Sequence, residues 1–206
     1  MGAIPIAATV KNYQKVWIPM VRTFIAIDFD DEHIRKNVKK LQDELKITNA
    51  GLKFVDPKII HITLEFLGEI SDKQVEEIIN CLQTIVFEPF EIKLKGLAVL
   101  PNEKYVRVIY SPAYCTKEGY LTRIQQELHK KLEEIGFKLE KRPFKAHLTI
   151  ARVKNARNKQ ALLGVIRKFS SVEIGSQKIR KIKLKKSVLT PQGPNYSTLF
   201  EVEAKE

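Results

Sequence analysis

Apolar positions in the first part of the chain switch between two periodicities, which predicts strands and amphipathic helices in alternation. The run over 22–29 is rich in β-branched and aromatic residues and is typical of a strand. Apolar side chains then recur every three or four positions over 34–45, which predicts a helix. A second strand is predicted over 59–67. The next helix opens with the capping-box pattern of Ser71 and Gln74.

The second part of the chain repeats this order. The first part closes with a helix ended by Pro89 and a strand over 90–100. The elements predicted after it are a strand over 105–110, a helix stopped by Gly136, a strand over 146–153, a helix near 157–168, and two strands over 177–189 and 195–203 joined by a Pro-Gln-Gly-Pro turn. We interpret the pattern as an α+β fold made from a duplicated β-α-β-α-β unit, with two lobes related by a pseudo-twofold axis.

A chain of 206 residues is long enough to bury one substantial core. We predict a single bilobal domain over 21–206. Residues 1–20 resemble neither a signal peptide nor a strong amphipathic helix, so we interpret them as an N-terminal extension. One hypothesis is that Met20 is the true start. Two cysteines without a C-x-x-C motif and no apolar run of about 18 residues favour a cytoplasmic protein without a membrane span.

Two of the predicted strands carry the same short motif, H-x-T followed by an apolar residue. His61 and Thr63 form the first copy, and His147 and Thr149 form the second. Side chains two residues apart on a strand point to the same side, so each strand presents an imidazole and a hydroxyl together. Alternation also predicts Glu65 on the face of His61, with Phe66 on the opposite, core face. Facing strands of this kind suit acid–base chemistry on a phosphate.

Other polar residues near these motifs have weaker signals. His33 and His129 have no threonine companion, and we expect both to be solvated surface residues. Arg152 has the opposite parity from His147 and reaches the same face only if the strand twists or bulges. A zinc site would compete for the two histidines, but no third ligand recurs at matching positions in both halves. We therefore expect no metal and no cofactor.

The chain is strongly basic. Its 36 lysine and arginine residues against 24 acidic residues give a net charge of +12. Such an excess favours a polyanionic partner, and nucleic acid is favoured over a membrane because no lipidation signal or basic amphipathic helix stands out. A soluble lysine-rich surface explains the charge equally well. The run 178–186 alternates basic and apolar residues, which is typical of one charged strand face.

The segments FVDPKIIHITLEFLGEI and EKRPFKAHLTIARV, together with RTFIAIDF, resemble the 2H phosphoesterase superfamily. They are most similar to its RNA 2′,3′-cyclic phosphodiesterases, historically called 2′-5′ RNA ligases. The likeness covers about residues 22–200. Ala146 stands where the family often carries proline, which alters the entry into the strand rather than the chemistry. The resemblance implies two lobes with antiparallel-rich sheets around a central cleft, with one H-x-T motif on each wall.

The resemblance also implies roles for individual residues. His147 would be the proton acceptor that activates water, and His61 the proton donor to the departing 3′-oxygen. Thr63, Thr149 and Arg152 would bind the phosphoryl oxygens. The implied partner is RNA with a 2′,3′-cyclic phosphate end, tRNA fragments included, and the expected state is a monomer that does not associate with membranes. Reversible 2′-5′ ligation is compatible with the same groups.

Two alternatives stay open at this point. One is a 2H enzyme that acts on small cyclic phosphates or 2′-5′ oligonucleotides, which the motifs do not distinguish. The other is a non-catalytic basic RNA-binding module, which the charge favours but which does not explain paired histidines. An ATP-dependent ligase is disfavoured because no K-x-D-G motif occurs. Phe24, in the first strand, fits either the cleft wall or the core.

Overall fold

The structure is a computed structural model that describes residues 20–155, 157–191 and 193–206. The strands are β1 (Val21–Asp28), β2 (Gly51–Phe54), β3 (His61–Ile70), β4 (Phe90–Lys95), β5 (Ala98–Asn102), β6 (Tyr105–Cys115), β7 (His147–Asn155), β8 (Glu173–Ile179), β9 (Lys181–Thr190) and β10 (Gly193–Glu203). The helices are α1 (Glu32–Lys46), α2 (Asp72–Gln83), α3 (Tyr120–Glu134) and α4 (Lys159–Lys168), with a short 3₁₀ helix at Pro57–Ile59. The predicted extension over 1–20 lies outside these residues except for Met20.

The strands form two antiparallel sheets. The first has the order β10-β9-β1-β3, and the second has the order β2-β7-β6-β4-β8, with β5 paired to β6. In each sheet a strand with an H-x-T motif, β3 or β7, lies beside a central strand, β1 or β6. The α+β class with antiparallel sheets, predicted from the sequence, is confirmed.

Each half of the chain contributes strands to the sheet of the other half. β4 belongs to the first half but pairs with β6 of the second, and β9 belongs to the second half but pairs with β1 of the first. The helices follow the same rule: α1 packs against β7, β8 and α4, whereas α3 packs against β3 and α2. Each H-x-T strand therefore packs against a helix of the other half.

The buried faces follow the predicted periodicity closely. Ile34, Val38, Leu41 and Leu45 of α1 are all buried, and Asp31 caps the helix by accepting a hydrogen bond from the backbone N–H of Ile34 at 2.9 Å. Burial of each such side chain stabilises the fold by roughly 1.5–3 kcal/mol. The capping box of α2 is formed as predicted.

The buried residues of both sheets belong to one continuous core. The single domain over 21–206 remains a prediction, and this core supports it. None of the helices in the described part of the chain is long and apolar enough to cross a membrane.

Several elements differ from the prediction, among them β2, which was not predicted, and β6, which continues to Cys115. The run 90–100 is two strands rather than one, because the chain turns at Gly96, whose φ is +80° and whose N–H donates to the carbonyl of Val172. α2 ends at Gln83, well before Pro89, because the Thr84 hydroxyl donates to a carbonyl of its last turn. The run 177–189 is divided between β8 and β9, so β8 was missed as a separate strand.

Gly96 is the glycine for which we expect the largest cost of substitution. A Cβ atom there would lie 2.1 Å from the carbonyl oxygen of Ser170, in addition to the cost of the positive φ. Gly96→Ala is expected to lower the free energy of unfolding by about 2–5 kcal/mol. Gly119 has φ +67°, but a Cβ atom added there would meet nothing within 4 Å, so this position isolates the backbone cost. Gly119→Ala should lose only about 1–2 kcal/mol in urea unfolding. Equal losses would contradict the steric argument.

Candidate active site

The two H-x-T motifs occupy equivalent positions in the two sheets. β3 begins at His61 and β7 begins at His147. Thr63 lies opposite Ala26 of β1, and Thr149 lies opposite Tyr110 of β6, so each motif has the same register against its central strand. Cα atoms of β3 lie within 8 Å of β7, and all four motif side chains are half-buried. The fold thus brings the two strands that carry the motifs, one from each sheet, into contact.

The two imidazoles are oriented by the same hydrogen bond. Nδ1 of His61 lies 2.9 Å from the carbonyl oxygen of Ile59, and Nδ1 of His147 lies 2.6 Å from that of Lys145. Since a carbonyl oxygen only accepts, the proton of the neutral ring must be on Nδ1. Nε2 of each ring is then free to accept a proton when neutral and to donate one when charged.

His61 lies between aromatic and cationic groups. Its ring is 5.0 Å from the ring of Phe24 and 5.3 Å, edge-on, from that of Tyr196. Burial lowers the pKa of His61 below its ordinary value of 6.5, and the charges of Lys185 and Arg152 lower it further. Phe24 is 4% exposed and contacts His61, but it is not among the residues of the continuous apolar core. Of the two interpretations left open for Phe24, its contacts favour the cleft wall.

A partly buried cluster of one carboxylate and two lysines lies beside His61. Asp28, opposite His61 on β1, accepts a hydrogen bond from Nζ of Lys185 and one from Nζ of Lys183 at 3.2 Å. Burial raises the pKa of the Asp28 carboxyl, but the bonds and charges of the two lysines outweigh burial and lower it overall. The run 178–186 was predicted as one charged strand face, but it is divided between β8 and β9, which lie in different sheets. Within β9, Lys183 and Lys185 do share one face, and both bind Asp28 beside the site.

A β-bulge brings Arg152 to the site. Thr149 pairs with Tyr110 and Ala151 with Ile109, which leaves Ile150 as an extra residue in β7. Ile150 and Ala151 are consequently both buried, and the parity reverses beyond them. Arg152 is exposed on the side of Thr149, and its charge lowers the pKa of His61 across the site. Arg152 was expected to reach the face of His147 only if β7 twists or bulges, and the bulge is present.

The first motif has the same bulge, which corrects a prediction. Ala26 pairs with Thr63 and Ile25 with Glu65, so Leu64 is the extra residue. Glu65 is therefore buried, at 6% exposure, and Phe66 is exposed on the side of His61, 6.4 Å from Phe24 between ring centroids. The prediction that Glu65 shares the face of His61 and that Phe66 faces the core was wrong. Strict alternation cannot anticipate an inserted residue.

The expectation for His129 was also wrong. Its Nδ1 lies 2.6 Å from Oε1 of the buried Glu65, which also accepts a hydrogen bond from Nε2 of Gln125 at 2.6 Å. His129 therefore anchors α3 to β3. A helical position between Leu128 and two lysines carries no sign of this contact, which arises from packing between the halves. His33 is exposed, as expected, and its Nε2 lies 2.9 Å from Nδ2 of Asn37, one turn further along the same helix.

The arrangement is suited to a phosphate group. Two imidazole Nε2 atoms can move protons, two threonine hydroxyls can donate to non-bridging oxygens, and a guanidinium can bind an anion. Among the described residues, no three His, Cys, Asp or Glu side chains lie close enough together to hold a metal ion.

Comparison with known proteins gives the same picture. The family described as LigT like Phosphoesterase matches residues 28–110 and 115–196. A protein of Archaeoglobus fulgidus named RNA 2′,3′-cyclic phosphodiesterase is 40% identical over 179 residues, which are 87% of this chain and 98% of that protein. One of the same name from Methanocaldococcus jannaschii is 40% identical over 181 residues, covering 88% and 99%.

Solved structures share the fold. TT0787 of Thermus thermophilus has a TM-score of 0.74 at 27% identity and covers 88% of this chain and 97% of its own. Escherichia coli LigT complexed with 3′-AMP has a TM-score of 0.73 at 20% identity, covering 91% and 99%. The family match spans both H-x-T strands and most of the described chain. This chain therefore belongs to the LigT-like phosphoesterases of the 2H superfamily.

Proposed function

We propose that this protein hydrolyses the 2′,3′-cyclic phosphodiester at the end of an RNA and leaves a 2′-phosphomonoester. The observation that carries the proposal is the pair of H-x-T strands whose two histidines are oriented by equivalent Nδ1 bonds, leaving Nε2 of both free. The names of the curated relatives support RNA as the substrate class. A net charge of +12 favours a polyanion.

Each residue has a distinct role in this reaction. Nε2 of His147 accepts a proton from water as the new P–O bond forms. Nε2–H of His61 donates a proton to the 3′-oxygen as the P–O3′ bond breaks. Thr63, Thr149 and Arg152 hold the non-bridging oxygens and stabilise the charge that builds up on them. Proton exchange with solvent then restores both imidazoles.

The surroundings of His61 bear on its role as the acid. Its lowered pKa keeps the ring mainly neutral near pH 7 in the unliganded protein. A bound phosphodiester carries a negative charge, which favours the protonated imidazole. Substrate binding thus shifts His61 towards the protonated form that acts as the acid, while the charges of Lys185 and Arg152 lower its pKa and make it a stronger donor.

The alternatives differ in their products. With a 5′-hydroxyl in place of water, the same groups would open the cyclic phosphate into a 2′-5′ phosphodiester: the P–O5′ bond forms, the P–O3′ bond breaks, one histidine takes the proton of the 5′-hydroxyl and the other donates one to the 3′-oxygen. Microscopic reversibility lets each histidine take the opposite role when such a 2′-5′ linkage is cleaved back to the cyclic phosphate. Small cyclic phosphates and 2′-5′ oligonucleotides would use the same phosphate contacts. A non-catalytic RNA-binding module would bind RNA without changing its end.

The direct test is incubation with RNA ending in 2′,3′-cyclic phosphate and identification of the hydroxyl that keeps the phosphate. We expect a 2′-phosphate. His61→Ala and His147→Ala should each lower turnover on the order of 10²- to 10⁴-fold while leaving the fold intact by circular dichroism. His33→Ala, a histidine outside the site, is the matched control and should retain full activity. Unchanged RNA ends with wild type, or near wild-type turnover in either motif variant, would refute the assignment.

The pKa of His61 provides a second prediction. In an NMR titration of the unliganded protein, the Cε1–H signal of His61 should titrate with a midpoint below 6.5. Lys185→Met should move that midpoint to higher pH, because it removes a positive charge that opposes protonation. Lys186→Met, which changes the adjacent lysine, should move it less. A midpoint at or above 6.5 in wild type would contradict the described environment.

Metal independence is a third prediction. Because both proton transfers are assigned to imidazoles, turnover should be unchanged after dialysis against EDTA. If activity is lost on chelation and restored by a divalent cation, the proposed mechanism is contradicted, because a metal ion then takes part in turnover. The same assay in the His61→Ala background would tell whether trace metal supplies residual activity.

A further inference from the structure

Each H-x-T strand contacts a buried glutamine that comes from the other half of the chain. Gln42 of α1 is 4% exposed and reaches β7, and Gln125 of α3 is 9% exposed and reaches β3. Both glutamines meet their strand at its bulge. A buried amide requires hydrogen-bond partners, so its position on a core-facing helix is a strong constraint.

Gln42 binds directly to the main chain of the bulge. Its Nε2 donates to the carbonyl oxygen of Val55 at 2.6 Å and to that of Ile150 at 3.2 Å. Ile150 is the extra residue of β7, and its carbonyl also accepts from the backbone N–H of Val55 at 3.1 Å. The amide therefore joins the bulge to the segment that follows β2 and fixes both to α1.

Gln125 makes the equivalent contact in the other lobe by a different route. Glu65 follows the extra residue of β3, as Ala151 follows that of β7. At Ala151 the side chain ends at Cβ, and Gln42 binds the main chain of the preceding residue. At the equivalent position in β3, the longer Glu65 itself provides the acceptor for Gln125. The two glutamines therefore hold the two bulges by different contacts, Gln42 through a main-chain carbonyl and Gln125 through the side chain of Glu65.

We propose that Gln42 is a positioning residue for Arg152, which it holds on the site face by fixing the bulge at Ile150. This inference rests on the proposed function, in which Arg152 binds the phosphoryl oxygens. Without the bulge, alternation along β7 would turn Arg152 towards the apolar core, where burial of its charge is costly. Gln42 touches no substrate and acts only through the backbone.

A double-mutant cycle tests this. Gln42→Met keeps an unbranched side chain of similar length but loses both hydrogen bonds. It should lower kcat/KM for RNA with a 2′,3′-cyclic phosphate end on the order of 10- to 100-fold, as expected for a displaced binding group. In the Arg152→Ala background, the same change should have no further effect within about twofold. Gln125→Met should not couple to Arg152 in this way.

Asn37→Leu is the matched control. Asn37 lies on the same helix, and its Nδ2 donates to the carbonyl of Ile174 in β8 at 2.9 Å, away from the bulge. Loss of this hydrogen bond in Asn37→Leu should lower the melting temperature of the protein without changing kcat/KM. Equal losses of activity in Asn37→Leu and Gln42→Met, or additive losses for Gln42→Met and Arg152→Ala, would reduce Gln42 to a general structural role and overturn the proposal.

A structural readout separates this proposal from the proposed function. If wild type does not act on cyclic phosphate ends, the function fails, and the crystal structure of Gln42→Met still decides the role of Gln42. We expect the register of residues 149–152 against β6 to change in that variant. An unchanged bulge with Arg152 still on the site face overturns the inference. If Gln42→Met does not fold, Gln42→Asn, which shortens the amide by one methylene, is used in the same experiments.

Discussion

Side chains of a β-strand point alternately to its two faces. The site depends on one β-bulge in β3 and one in β7, each of which interrupts this alternation. The extra residues Leu64 and Ile150 let two consecutive side chains face the core, so that Phe66 and Arg152 reach the side of the histidines. In β7 the carbonyl of the extra residue Ile150 accepts hydrogen bonds from the backbone N–H of Val55 and from the buried side chain of Gln42. The chemistry of the site is therefore tied to the packing beneath it.

The exchange of strands and helices between the halves makes that packing mutual. β4 and α1 of the first half complete the sheet and core around β7, and β9 and α3 of the second half do so around β3. The two imidazoles are oriented by equivalent Nδ1 hydrogen bonds, but different side chains surround them. His61 lies against Phe24 and Tyr196, whereas the ring of His147 is 5.3 Å from that of Tyr110. This asymmetry gives a pseudo-symmetric fold two histidines with different neighbours.

Local patterns predicted the elements whose cause is local. The apolar face of α1, the capping box of α2 and the strands that carry His61 and His147 follow from spacing and from backbone capping, which depend on near neighbours in the chain. The prediction for Glu65 failed because it used alternation alone. The prediction for His129 failed because its partner lies in another half of the chain, and no local pattern encodes that contact.

The sequence by itself therefore determined the fold class, the two motifs and the residue types available for proton transfer and phosphate binding. Tertiary structure alone decided which of these side chains meet. The reason is that strand exchange, bulges and the buried contacts of Gln42 and Gln125 depend on residues far apart in the chain, whose free energies are realised only when both lobes are packed together.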